Sequence, residues 1–203
     1  MPARAPLPPF AGAVLCGGAS RRMGRDKALI VLDGRPLAGR IAEVVGAAGA
    51  RRVVAVGGEP TALREAGLTV IEDRDPGAGP LTGIVTALAA SDDDIVFVAA
   101  CDLIHASAEA VAATVQALQA DATADVAAPL VEGRRQWMHA AWRRRAGMPL
   151  AAAFAAGERA VHAAVAAGGL RVVDVAVDAS AVADADTPAD LPAGGSADAG
   201  PLR

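Results

Sequence analysis

Residues 95–100 read Ile-Val-Phe-Val-Ala-Ala, an unbroken apolar run that is followed by Cys101 and Asp102. Six apolar residues without a polar one predict a strand buried on both faces, as in the centre of a parallel sheet. Shorter apolar runs and longer amphipathic ones alternate on either side of this strand. The alternation predicts an α/β fold with a mostly parallel sheet, in which ligands bind outside the carboxyl ends of the strands.

Periodicity predicts the positions of the strands and helices along the chain. The predicted strands cover residues 11–16, 52–56, 69–71, 95–100, 126–130, 139–142 and 172–177. The predicted helices cover residues 37–50, 61–66, 81–90 and 106–120, followed by two alanine-rich helices that bracket Gly157. The first four strands are followed in turn by a glycine-rich loop, Gly57-Gly58, Asp73 and Asp102. We therefore expect these four features to meet at one edge of the sheet.

Length and composition narrow the class of protein. A chain of 203 residues predicts a single domain, here residues 11–191, between an N-terminal tail (1–10) and a disordered tail (192–203). The chain is 53% hydrophobic but only 2% aromatic, so its core consists mainly of alanine, valine and leucine. No run approaches the roughly 18 apolar residues of a membrane span, and no signal-peptide core is present in the sequence. We expect a cytoplasmic protein without a membrane partner.

Charge and cysteine content exclude further classes. A net charge of -4 argues against a general nucleic-acid binder, so any anion site must be local. Cys16 and Cys101 both lie in apolar, strand-like segments. An isolated pair of this kind is typical of reduced, buried thiols rather than of a disulfide framework.

The loop after the first strand is suited to a nucleoside triphosphate. Residues 15–27 read Leu-Cys-Gly-Gly-Ala-Ser-Arg-Arg-Met-Gly-Arg-Asp-Lys, with four cationic side chains among the last seven. Glycines let backbone N–H groups approach phosphate oxygens, and arginine and lysine supply the opposing charge. The spacing matches neither a Walker loop nor a Gly-x-Gly-x-x-Gly dinucleotide motif.

These residues match the signature Leu-x-Gly-Gly-x-Ser-x-Arg-Met-Gly-x-Asp-Lys, and the chain therefore resembles the MobA family of molybdenum cofactor guanylyltransferases. The resemblance continues through residues 71–84, through Ala100-Cys101-Asp102 and through residues 184–191. It implies a three-layer αβα sandwich with a Rossmann-like sheet of the nucleotide-diphospho-sugar transferase type. It also implies transfer of GMP from GTP to molybdenum-loaded molybdopterin, with release of pyrophosphate.

The same resemblance assigns roles to individual positions. Backbone groups of Leu15, Cys16 and Gly17 would contact the nucleotide, and Gly18 would wrap the triphosphate. Arg22 and Lys27 would neutralise phosphate charge, and Asp73 would contact the base or ribose. Asp102 would bind Mg²⁺, and with Lys27 it would form the catalytic pair. Transient contact with molybdoenzyme chaperones is implied as well.

Several alternatives stay open at this point. Asp102 could cap the helix that follows it, and Asp73 could simply begin a turn. Asp184 and Asp186 stand where several relatives carry asparagine, and either could add a carboxylate to the metal. A second basic group flanks Trp137 and could form either the acceptor side of the cleft or an exposed edge; it consists of Arg134, Arg135, Arg143, Arg144 and Arg145.

Two other functions compete with guanylyl transfer. A sister enzyme uses CTP and typically has alanine where this chain has Gly17, so the smaller glycine favours a purine. A nucleotide-binding regulatory domain without catalysis would require loss of the metal-binding or phosphate-binding groups, and none of them is lost here.

Overall fold

The computed structural model describes residues 6–17 and 26–184. Its strands are β1 (Phe10–Leu15), β2 (Val31–Leu32), β3 (Arg35–Pro36), β4 (Val53–Val56), β5 (Val70–Ile71), β6 (Ile95–Ala100), β7 (Val126–Val131), β8 (Arg134–Arg135), β9 (His139–Arg143) and β10 (Val172–Val175). Its α-helices are α1 (Leu37–Ala47), α2 (Pro60–Glu65), α3 (Pro80–Ala89), α4 (Ala108–Ala120), α5 (Gly147–Ala155) and α6 (Val161–Ala167). Short 3-10 helices cover Lys27–Leu29, Arg144–Ala146 and Ala179–Val182.

One mostly parallel sheet organises these elements. Its strand order is β10-β7-β9-β6-β1-β4-β5, with β8 paired to the end of β7. The strands β6, β1, β4 and β5 are parallel neighbours, whereas β9 runs antiparallel to both β6 and β7. The predicted α/β class and the mostly parallel sheet are confirmed.

The sheet is buried on both faces by helices. Along β6, Phe97 and Ala99 face a core formed with α1, α2 and α4, while Val96 and Val98 face a second core formed with α3, α5 and α6. The alternation follows from the two-residue repeat of a strand, which points successive side chains to opposite faces. The apolar run of residues 95–100 is thus a central strand of a three-layer αβα sandwich, as predicted.

The predicted elements are confirmed with shifts of a few residues at their ends. The first strand begins at Phe10, one residue before the predicted domain boundary, and Phe10 is fully buried. The β2–β3 hairpin and β8, which are two residues long per strand, were not predicted, although Asp33-Gly34 is a two-residue turn pair typical of hairpins. Strands this short carry too few residues for a periodic pattern.

The two cysteines of the chain are buried thiols. Cys16 and Cys101 are both free, as expected from the sequence. A side-chain hydrogen bond with Cys16, together with burial, raises the pKa of the Cys101 thiol well above its usual range, which disfavours a reactive thiolate. No helix in the described ranges is long and apolar enough to cross a membrane.

A buried histidine makes the stability of this fold depend on pH. His139 is fully buried at the start of β9, and neither imidazole nitrogen has a hydrogen-bond partner. Its ring meets the Phe97 ring edge-on, with centroids 4.9 Å apart. Burial lowers the pKa of His139 from 6.5 to about 4. The charged imidazolium is therefore disfavoured in the folded protein but not in the unfolded chain.

We predict that His139 reduces the free energy of unfolding as pH falls from about 6.5 to 4, because only the unfolded chain gains a proton there. The slope is about 1.4 kcal/mol per pH unit, for a total of about 3 kcal/mol. Urea unfolding of His139→Met at several pH values should show a flatter pH dependence by this amount. The exposed His162 supplies the control, since His162→Gln should keep the wild-type slope. Equal slopes for wild type and His139→Met would contradict the prediction.

Candidate functional site

The register of three strands places their ends level with one another. Leu15 at the end of β1 pairs with Ala100 of β6 on one side and with Val56 of β4 on the other. The backbone bonds continue past the strand ends, since Cys16 N–H donates to Val56 O (2.9 Å) and Cys101 N–H donates to Leu15 O (3.2 Å). β5 follows in register, with Val56 beside Ile71. The expected convergence of the four polar and glycine features at one edge is confirmed.

Glycines bring two backbone segments together at this edge. A Cβ added at Gly57 would lie 3.3 Å from both N and Cα of Gly17, and one at Gly58 would lie 3.0 Å from Cys16 Cβ. Gly57 and Gly58 also have φ of 74° and 76°, which L side chains rarely adopt. The result is a side-chain-free strip of backbone at the ends of β1 and β4, which we call the groove, whose two segments lie within packing distance of each other.

An ion pair lies beside this groove. Lys27 Nζ is 3.1 Å from Asp102 Oδ2, across 75 positions of sequence. Both side chains are mostly buried, at 16% and 17% exposure. The structure thus brings together the two residues that the sequence assigned to catalysis, one at the end of the first loop and one at the end of β6.

Asp26 holds the end of the first loop in place. Its carboxylate accepts the N–H of Ala28 (3.0 Å), which caps the 3-10 helix that begins at Lys27. Its other oxygen accepts the N–H of Glu59 (3.2 Å), which lies in the segment after β4. Asp26 therefore fixes the backbone that carries Lys27. Asp26 is part of the first-loop motif, but no role was predicted for it from the sequence.

Asp102 is not the cap of the following helix. α4 begins at Ala108, and the side chain of Ser107 accepts the N–H of Ala110 (3.2 Å) in the capping position. The helix-cap alternative for Asp102 is therefore wrong, and its carboxylate lies at the sheet edge against Lys27.

Asp73 lies at the same edge and is held by several donors. Its carboxylate accepts the N–H of Asp75 (3.3 Å), as the turn interpretation predicted. It also accepts the hydroxyls of Thr82 (3.0 Å) and Thr86 (3.3 Å), one turn apart on α3. Neither threonine was singled out from the sequence, although their spacing of four residues in a helix puts both on one face.

The second basic group does not form one surface. Because β9 runs antiparallel, its last residue Arg143 pairs with Ile95, the first residue of β6, at the opposite edge of the sheet. There Arg143 and Arg145 bind Asp94 (2.6 Å) and Asp125 (2.7 Å). These arginines are structural, and the idea that the whole group faces the acceptor is wrong.

The other part of that group lies at the edge that carries Asp102. β8 pairs with the end of β7, and Arg135 binds Asp174 through two hydrogen bonds (2.6 and 3.2 Å). Trp137 lies just before β9 and packs against the buried Trp142, with ring centroids 6.0 Å apart. Arg134 is exposed and forms no ion pair with a carboxylate of the described ranges.

Asp102 and its surroundings suit a hard cation. One carboxylate completed by phosphate oxygens and water is a usual donor set for Mg²⁺. The fold already places a cationic group, the Lys27 ammonium, against an oxygen of this carboxylate. Residues 6–17 and 26–184 contain no cluster of three or more His, Cys, Asp or Glu that could hold a metal without a substrate. Asp184 is exposed, while Gly18, Arg22 and Asp186 lie outside the described residues.

Comparison with known proteins identifies the family. A family model described as a MobA-like NTP transferase domain matches residues 12–188. Since the match covers most of the chain, the protein belongs to the MobA-like NTP transferase family. The resemblance drawn from the first loop is confirmed.

Individual relatives agree with this family. A probable molybdenum cofactor guanylyltransferase of Opitutus terrae is 47% identical over 82 residues, which cover 40% of this chain and 41% of that protein. One of Mycobacterium tuberculosis is 34% identical over 165 residues, covering 77% of this chain and 79% of that protein. The match therefore spans about two fifths of the first relative's length and most of the second's.

A solved structure shares the fold. The molybdopterin-guanine dinucleotide biosynthesis protein A of Archaeoglobus fulgidus superposes with a TM-score of 0.73 at 23% identity, covering 89% of this chain and 94% of that one. The likeness confirms the three-layer nucleotidyltransferase fold.

We predict that the two glycine segments differ sharply in tolerance to a side chain. Gly58→Ala should lower the free energy of unfolding by about 2 to 4 kcal/mol, because its positive φ and its contact with buried Leu63 (2.8 Å) both oppose a Cβ. Gly17→Ala should unfold like wild type, since its φ is not positive and, among the described residues, its Cβ would meet only the backbone of Gly57 and Gly58 at 3.9 Å. Urea denaturation of both variants tests the contrast, and equal stabilities would contradict it.

Proposed function

We propose that this protein transfers GMP from GTP to molybdenum-loaded molybdopterin and releases pyrophosphate. The observation that carries the proposal is the Lys27–Asp102 pair, 3.1 Å apart, beside a side-chain-free groove at the carboxyl edge of the sheet. Family membership and relatives named molybdenum cofactor guanylyltransferase support this choice of reaction.

The reaction requires charge neutralisation more than proton transfer. The terminal phosphate of the acceptor attacks the α-phosphorus of GTP, so one P–O bond forms and the bond to pyrophosphate breaks. A phosphate is already anionic at neutral pH, so no general base is needed. Preorganised positive groups near the phosphates then supply most of the catalysis.

Each residue of the site has a part in this scheme. Backbone groups of Leu15, Cys16 and Gly17 would contact the nucleotide, although the Cys16 N–H is already bonded to Val56 O and is not one of the donors. The Lys27 ammonium would face the α-phosphate and the departing pyrophosphate, and Arg22 and Gly18 would contribute to the triphosphate contacts. Asp102 would hold Mg²⁺, which when bound neutralises phosphate charge as a Lewis acid.

The Lys27–Asp102 ion pair determines which charged partners the two residues would have with and without nucleotide. Without nucleotide, the Lys27 ammonium lies against Asp102, so the mostly buried carboxylate has a cationic partner. With a triphosphate bound, Lys27 would bind phosphate oxygens instead of the carboxylate, and Asp102 would then be available to hold Mg²⁺. The site thereby remains charge-paired in both states.

The choice of GTP over CTP rests on the space at Gly17. A Cβ there would extend towards Gly57 and Gly58 across the groove, where it would meet their backbone at 3.9 Å. Without it, the groove is wider at that point. A wider groove favours the larger purine over the pyrimidine used by the sister enzyme.

We predict that Lys27→Ala or Asp102→Ala lowers turnover by about 10²-fold or more while the fold is kept, by analogy with removal of one preorganised electrostatic group. Pyrophosphate release with GTP, Mg²⁺ and molybdopterin measures the effect. Arg51→Ala is the matched control, because it breaks the Arg51–Asp93 pair (3.3 Å) at the opposite edge of the sheet. Near-normal transfer by folded Asp102→Ala would exclude the metal assignment.

We also predict that Gly17→Ala shifts nucleotide preference towards CTP. The ratio of kcat/KM for GTP to that for CTP should fall about tenfold or more, since a methyl group in a close-packed pocket is worth on the order of 1 to 3 kcal/mol. Steady-state assays with GTP, CTP and ATP measure the ratio. A wild-type protein that uses CTP alone would reject the guanine assignment.

A further inference from the structure

The carboxylate of Asp73 is held by two buried hydroxyls whose function the site description leaves open. Thr82 and Thr86 are only 3% and 4% exposed, and both hydroxyls lie within 3.3 Å of Asp73 oxygens. The two hydroxyls therefore contact the protein and not the solvent. Their position fixes both oxygens of a side chain that stands at the edge of the groove, where its Cβ is 3.7 Å from the Cβ position of Gly57.

Thr82 has two acceptors but only one proton. Its Oγ1 lies 3.0 Å from Asp73 Oδ2 and 2.9 Å from the carbonyl oxygen of Gly79. A hydroxyl donates one hydrogen bond at a time, so the proton points either to the carboxylate or to the carbonyl. Moving it from one to the other needs only rotation about the C–O bond, and the hydroxyl remains satisfied in both positions.

This arrangement frees an acceptor on Asp73 without leaving a buried group unpaired. When Thr82 donates to Gly79, Asp73 Oδ2 is available for an N–H or O–H of a ligand. When no ligand is present, Thr82 returns to the carboxylate and holds it in the same orientation. A buried hydroxyl with a single acceptor would instead lose its hydrogen bond when the ligand bound.

The sheet indicates which part of a nucleotide meets Asp73. Asp73 Cβ lies beside Gly57, which follows β4, and β4 is two strands away from β6, which precedes Asp102. Two strand spacings amount to roughly 10 Å, so one nucleotide would meet the two residues with different parts of its length. With the phosphates at Lys27 and Asp102, Asp73 is left facing the nucleoside, whose base and ribose offer N–H and O–H donors.

We propose that Thr82, supported by Thr86, is a positioning residue for the nucleoside, and that its hydroxyl exchanges Asp73 for the Gly79 carbonyl when a nucleotide binds. The inference rests on the proposed function, since it takes the nucleotide's phosphates to lie at Lys27. It adds to that function the means by which the chain orients Asp73.

The test compares Thr82→Val, which keeps the shape and removes the hydroxyl, with Thr82→Ser, which keeps the hydroxyl. Thr114→Val is the matched control, because Thr114 is also a fully buried helical threonine whose hydroxyl donates to a carbonyl, that of Ala110 (2.9 Å). Calorimetry with GTP and with inorganic triphosphate, each with Mg²⁺, measures nucleoside and phosphate binding separately. Steady-state assays supply KM and kcat.

Thr82→Val should raise the Kd and KM for GTP about tenfold, because Asp73 would no longer be held in its binding orientation before the nucleotide arrives, and ordering one free side chain costs roughly one decade of affinity. The Kd for inorganic triphosphate and kcat should change by less than about twofold, and Thr82→Ser should restore GTP binding. Thr114→Val should bind both ligands like wild type.

The outcomes separate the inference from the proposed function. Wild-type protein that binds GTP, together with an unchanged Kd in Thr82→Val, would overturn the inference alone. Equal loss of GTP and triphosphate binding in Thr82→Val would also overturn it, because the threonine would then act only on the fold. Wild-type protein that binds no nucleoside triphosphate would overturn the proposed function and the inference with it.

Discussion

The register of β1 between β6 and β4 is the constraint on which the site depends. Leu15 pairs with Ala100 and with Val56, so the three chains leave the sheet at the same level. A slip of one residue would turn every side chain of β1 to the opposite face and would move Cys16 and Gly17 out of line with Cys101 and Asp102. The register is itself fixed by burial, because alternate residues of β1 enter two different cores. Packing on both faces of one strand therefore determines where the charged groups at its end can meet.

The sequence predicted that the site lies at this edge of the sheet, because each of the strands that end there has a recognisable pattern. The apolar run of residues 95–100 identified the central strand, and the first loop carried a long motif that indicated both the family and the importance of Lys27. Parallel β-α-β order then implied convergence without any knowledge of contacts. The direction of β9 had no such signal, since an apolar strand reads the same in either direction. Its reversal carries Arg143 and Arg145 to the far edge, so the sequence alone could not show that the second basic group is divided between two edges.

The residues that the sequence did not reveal are those that act through another residue. Asp26 holds the backbone of Lys27, Ser107 leaves Asp102 free of a capping role, and Thr82 orients Asp73. Each is a common polar residue with no distinctive spacing to its partner, and the partners of Asp26 and Asp73 come from segments that only the fold brings close. Such roles depend on tertiary distance, whereas motifs record neighbours along the chain. A long motif can thus define the reacting groups and still omit the contacts that position them.

The two carboxylates at this edge are kept ready for a ligand in different ways. Asp102 lies against the Lys27 ammonium, and Asp73 is held by the Thr82 hydroxyl, which has a second acceptor in the Gly79 carbonyl. Under the proposed function, Lys27 would turn to phosphate oxygens and Thr82 to Gly79, so binding would leave neither group unpaired. Leaving a buried charge or hydroxyl unpaired costs more free energy than one hydrogen bond contributes. Because both groups would keep a partner, the free-energy penalty of binding a ligand is lower. The arrangement also keeps both carboxylates in fixed positions before the nucleotide arrives, and preorganisation of this kind is what charge stabilisation at phosphate groups requires.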